Sequence, residues 1–164
     1  MPVEDVAARV VEVLTRAESL FAIPADAAAA GEAAGRVSDA AAASRAIASR
    51  TADLSGAAAT AHSAAVGAAA ERLEHTASTD SELAERVADT ADAHHGGGSH
   101  AAELRASAAE IPSALGPAVR NPAGEVAALK ALRNRVAGMQ RLLAEHSGES
   151  ARVAGEIRNL GYRP

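Results

Sequence analysis

The sequence predicts an all-α protein, an elongated antiparallel helical hairpin or bundle with coiled-coil-like, alanine-rich packing. Three observations lead there. About 47 of the 164 residues are alanine, the strongest helix former. Apolar positions recur at alternating spacings of three and four over long stretches, the signature of a helical seam. Aromatic residues are nearly absent, with one Phe, one Tyr and no Trp, and only about 30 larger apolar side chains remain. The core is therefore thin for this length and must be built by close approach of helices rather than by bulk.

The elements follow in order. Val3, Val6, Val10, Val13, Ala17 and Leu20 set a seam over residues 3–22, widened by Val11 and Leu14. Pro24 lacks an amide donor and is tolerated only in a first helical turn, so a break is expected at Ile23–Pro24 with a new helix beginning there. Residues 25–51 are helical by propensity, with Val37 and Ile47 as the only large apolar anchors. Leu54-Ser55-Gly56 predicts a hairpin turn, because glycine supplies the backbone freedom that a reversal needs. A third helix over 57–93 carries the seam Val66, Ala69, Leu73, Thr76, Asp80, Leu83 and Val87. The polar pair Thr76 and Asp80 marks either a helix break near Ser78-Thr79-Asp80, which are good N-cap residues, or a place where a partner is read.

His94-His95-Gly96-Gly97-Gly98-Ser99-His100 reads as a linker, since three glycines carry no packing group and the highest backbone entropy. A short helix from Ser99 to about Ser113 follows, punctuated by Pro112, Gly116 and Pro117. Asn121-Pro122 is a helix start, with Asn as N-cap and Pro at the first position. The last helix has the longest seam: Leu129, Leu132, Val136, Met139, Leu143, His146, Ser150, Val153, Ile157 and Leu160. The alternation survives Ser147-Gly148, which predicts one bent helix ending at Gly161. The expected organisation is thus an N-terminal hairpin or bundle over 1–93, a linker over 94–100 and a C-terminal helical segment over 101–164.

Composition also narrows function. With no cysteine there is no disulfide framework, thiolate zinc site or cysteine nucleophile. No apolar run is long enough to span a membrane, and the acidic start Glu4-Asp5 is unlike a secretory signal peptide. Basic residues of the last third are interspersed with Glu125, Glu145, Glu149 and Glu156, which argues against nucleic-acid binding. An amphipathic first helix on anionic lipid is disfavoured by Glu4, Asp5, Glu12 and Glu18. His94, His95 and His100 could meet a divalent ion, but a flexible segment supplies no oriented ligand shell, so no metal or other cofactor is expected. Neither a nucleophile elbow nor a phosphate loop is present, and Glu71/Glu74 and Glu82/Glu85 read as solvated helix charges. No enzymatic activity is predicted.

Around Leu54-Ser55-Gly56 the sequence resembles the WXG-type and EspC-like substrates of actinobacterial type VII secretion. In that family a Trp-x-Gly turn joins two alanine-rich helices, and a Tyr-x-x-x-Asp/Glu signal lies beyond the second. Leu54 stands where the Trp would be, Gly56 matches, and Thr76-Ala77-Ser78-Thr79-Asp80 is similar to the signal with Thr for Tyr. A second stretch, Asn121-Pro122-Ala123-Gly124 followed by a long helix ending Leu160-Gly161-Tyr162, resembles an uncharacterised helical domain of mycobacterial proteins. The resemblances imply a helical interaction protein of the type VII secretion setting, exported or secretion-associated by a route without a signal peptide. Leu54, Gly56, Thr76 and Asp80 are its candidate signal and partner-binding residues. The alternative is a cytoplasmic adaptor, chaperone or immunity-type protein that binds a secreted effector.

Overall fold

A computed structural model describes residues 2–22, 27–51, 53 and 55–161. The protein is all-α. Helix α1 spans Val3–Glu18 and runs into a 3₁₀ turn at Ser19–Phe21; α2 spans Ala27–Thr51, α3 Ala57–Leu115, a second 3₁₀ turn Gly116–Arg120, and α4 Pro122–Asn159. The break expected at Ile23–Pro24, and Leu54 of the expected turn, lie outside the described residues. The chain divides into two compact units, one of residues 1–24 and 90–152, the other of 25–89 and 153–164.

In the first unit α1 packs with the C-terminal half of α3 and most of α4. The core is Val3, Ala7, Leu14 and Phe21 from the first segment, Ala101, Leu104, Ala108 and Ile111 from α3, Val119, and Ala128, Leu132 and Met139 from α4. Val3 is buried as the seam predicts, but positions 7, 14 and 21 are one heptad apart, so from there the buried line runs through Ala7, Leu14 and Phe21 rather than along the later valines. Val13 and Leu20, expected on the seam, are 56% and 59% exposed, and Val6 and Val10 are half-buried at its margin. The same correction holds on α4. Ala128 is fully buried while Leu129 is 40% exposed. In both helices an alanine occupies the contact line because removing side-chain bulk lets neighbouring backbones approach, which a larger residue would prevent. Leu132, Met139 and Val153 do lie buried, and Val136, Leu143, Ile157 and Leu160 are half-buried. Leu132→Ala should therefore cost about 2–5 kcal/mol, whereas Leu129→Ala should change stability by less than about 0.5 kcal/mol, as urea denaturation will show.

The largest departure from expectation is in α3. Residues 94–100 are helical and lie inside a 59-residue helix, and residues 78–80 are helical too. No cap forms at 78–80, because Thr79 Oγ1 donates to His75 O (3.0 Å) and Ser81 Oγ to Ala77 O (2.8 Å), back-bonds that leave the ladder intact. Burial recurs at Val66, Ala70, Leu73, Ala77, Asp80, Ala84, Val87, Ala91, His94, Gly98 and Ala101, a three-four alternation that runs straight through the glycines. Pro112 sits within the same helix rather than ending it. The chain reverses at Gly116, whose φ of 49° is accessible to glycine at little cost. Asn121 then caps α4, its Oδ1 accepting the Gly124 N–H at 2.8 Å, and Pro122 takes the first helical position.

In the second unit α2 buries a line of small residues: Ala34 and Ala41, with Ala30, Val37, Ser44, Ala48 and Thr51 half-buried at heptad spacing. Ile47, expected as an anchor, is 48% exposed one position away from Ala48. The hairpin of α2 and α3 is antiparallel, with Arg45 ion-paired to Glu74 and Thr51 Oγ1 lying 3.4 Å from Ser63 Oγ. The end of α4 joins this unit through Arg86–Glu156 at 3.5 Å and a contact of 3.3 Å between His75 Nε2 and Gly161 O.

Candidate functional site

Gly56 has a φ of 114°, a conformation that side-chain-bearing residues rarely adopt, and its carbonyl accepts the Thr60 N–H (3.0 Å) and hydroxyl (3.2 Å). It is the reversal between α2 and α3, as the sequence predicts. Thr76 and Asp80 are not beside it. They lie in the middle of α3, both half-buried, with Thr76 Oγ1 donating to Arg72 O at 3.0 Å. Between them, Ala77 and Ser78 line a shallow polar groove with Ser81, with Ser38, Ala41 and Arg45 of α2, and with Glu74. The groove offers serine hydroxyls and one ion pair, groups that can donate and accept hydrogen bonds.

The more elaborate constellation lies in the first unit. Phe21, the only phenylalanine, is buried against the backbone of α3 at Gly97 and Gly98. A Cβ added at Gly97 would come within 2.6 Å of Phe21 Cε1 and 2.9 Å of Cδ1, and one at Gly98 within 3.3 Å of Phe21 Cβ. Two of the three glycines that read as a linker thus form the flat seat of an aromatic ring. Two imidazoles complete the seat. His94 of α3 and His146 of α4 meet edge to face at 4.4 Å between ring centroids, and Phe21 lies 4.9 Å from His146 and 5.8 Å from His94. Burial pulls the His146 pKa below its ordinary value of 6.5, and the charge that His94 can carry adds to that. His94 Nδ1 is buried and has no hydrogen-bond partner among the described residues. One turn before the ring, Glu18 accepts a 2.5 Å hydrogen bond from Arg105 Nε, which fixes the end of α1 on α3.

A shallow groove flanks each side of the glycines. One is lined by Glu18, Phe21, Ala22, His95, Gly98, Ser99 and Ala102, the other by residues including Gly97, His100, Leu142, Glu145, His146 and Glu149. The three histidines of the expected linker therefore part in different directions: His94 to His146, His95 to the first groove and His100 to the second. Among the described residues no group of three or more His, Asp or Glu could hold a metal ion. No helix among them is long and apolar enough to cross a membrane. Phe21, His94, Gly97 and Gly98 were not legible as a site from the sequence, although the heptad read on from Val87 places His94 and Gly98 on the seam, and His146 already lay on that of α4. Comparison with family models, with curated proteins and with solved structures finds no match to this chain.

Proposed function

We propose that this chain is a non-enzymatic helical interaction protein of the type VII secretion setting, either exported or associated with export. The observation that carries the interaction role is the apolar surface left outside a closed seam: Val13 on α1, Leu20 in the 3₁₀ turn after it, and Val126 (65% exposed) and Leu129 on α4. These residues stand at the margins of the first unit's contact lines, where a further helix from a protein partner or a second copy can add to the packing. The secretion setting is supported by the Gly56 reversal between two alanine-rich helices and by the Asn121-Pro122-Ala123-Gly124 helix start. Neither nucleic acid nor a cofactor enters this reading.

A second reading, a cytoplasmic adaptor or immunity-type protein, is favoured by one observation. Thr76 and Asp80 lie within an uninterrupted, half-buried stretch of α3, whereas a signal read by secretion machinery needs access. Fractionation of actinobacterial cultures expressing the chain separates the two: export places it in the filtrate, and an adaptor stays with the cells. The interaction role is tested by light-scattering mass and by a concentration series of thermal unfolding. For a self-associating chain, the midpoint should rise with concentration, and Leu20→Glu with Leu129→Glu should abolish that rise while leaving the helical signal intact. A monomer whose midpoint is independent of concentration, and whose partner capture from such cultures is unaffected by the same two substitutions, would remove the role from these faces.

A further inference from the structure

We propose that Phe21, His94 and His146 form a pH-sensitive latch, in which protonation of the two imidazoles releases the Ser19–Phe21 turn and uncovers the glycine face of α3. The geometry carries this. The ring of Phe21 sits on bare backbone at Gly97 and Gly98, so what holds it is dispersion, an edge-to-face contact with His94 and a tilted one with His146, the two imidazoles being 4.4 Å apart. That arrangement suits neutral rings. Two imidazolium charges at this separation repel, and His94 Nδ1 has no acceptor for an added proton among the described residues.

The surrounding ionisable groups set how far the release goes. Glu18 at the end of α1 is tied to Arg105 of α3, so the helix stays anchored up to that residue and only the turn beyond it is free to leave. On α3, His95 and His100 lie in the two flanking grooves. On α4, Glu145 and Glu149 line the groove beside His146, and Glu149 is paired with Arg152. Two positive charges on adjacent rings are what the packing resists. The sign follows from His146. Its folded pKa lies below its ordinary 6.5, so the unfolded or released form binds more protons, and the closed form loses stability as pH falls below that value.

Hydrogen exchange on the full chain, corrected for intrinsic rates, tests the latch between about pH 7.5 and about pH 5. Protection around Ser19–Ala22 and around residues 96–98 should fall roughly tenfold or more, with α2 unchanged, and His94→Gln with His146→Gln should flatten the response. Unchanged protection in the wild-type chain, or the same fall in the double variant, would overturn the proposal. Should the double variant not fold, ring resonances of the wild-type chain decide. Phe21 and His146 signals should move with one midpoint below 6.5, and a Phe21 signal that stays fixed while the imidazoles titrate overturns the latch.

Discussion

Gly124→Ala should destabilise the protein by about 3 kcal/mol or more, the sum of an overpacked contact and a lost cap. The added Cβ would lie 2.5 Å from the Ala118 carbonyl carbon and 3.1 Å from the Val119 nitrogen, with the Ala118 oxygen closer still. All three are backbone atoms of the second 3₁₀ turn, and that turn has no freedom to retreat. The Asn121 N–H is bonded to Ala118 O at 3.1 Å, Val119 is buried in the core, and Gly116 already sets the reversal. Relief requires the first turn of α4 to swing away, which breaks the bond from Gly124 N–H to Asn121 Oδ1. Gly148→Ala is the control. It lies in the same helix with nothing within 4 Å of the added carbon, and should stabilise by about 0.5–1 kcal/mol through helix propensity. Urea denaturation of the two variants side by side separates contact from propensity, since both carry the same substitution.

The helical fold was legible because alanine content and three-four spacing are local properties that no tertiary contact had to supply. The Gly56 reversal and the Asn121 cap were legible for the same reason, each resting on the chemistry of one or two residues. What the sequence hid is which of two adjacent positions faces inward. Spacing alone put Val13 and Leu20 on a seam where the bulkier Leu14 and Phe21 are buried, and bulk put Ile47 and Leu129 on seams where Ala48 and Ala128 are the more buried neighbours. On α2 and α4 helix separation is set by the small residues, so bulk is a poor guide to burial there. The candidate site was hidden more deeply. Three glycines in a row read as a break because helix propensity counts only the local backbone, and Phe21, the ring that packs on two of them, lies more than seventy positions earlier.

That long-range dependence makes Phe21 and Gly97 a coupled pair, and a double-mutant cycle should measure the coupling. Phe21→Ala alone empties the seat of the only phenylalanine and should cost about 3–5 kcal/mol. Gly97→Ala alone improves helix propensity by about 1 kcal/mol but drives a methyl into a buried ring at 2.6 Å, and should be a net loss of about 1–3 kcal/mol. In the double variant the ring is gone, the methyl has room, and only the propensity gain remains. The double variant should then be more stable than Phe21→Ala by about 0.5–1 kcal/mol, so the same Gly97→Ala change reverses sign according to the residue at 21. Gly96→Ala, with nothing within 4 Å of its added carbon, should stabilise in both backgrounds. Additive effects at 21 and 97 would mean that the glycine does not serve the ring. A sign reversal would mean that this stretch of α3 is helical because Phe21 covers it, and that uncovering it exposes the weakest helical stretch of the first unit at the point where the two imidazoles act.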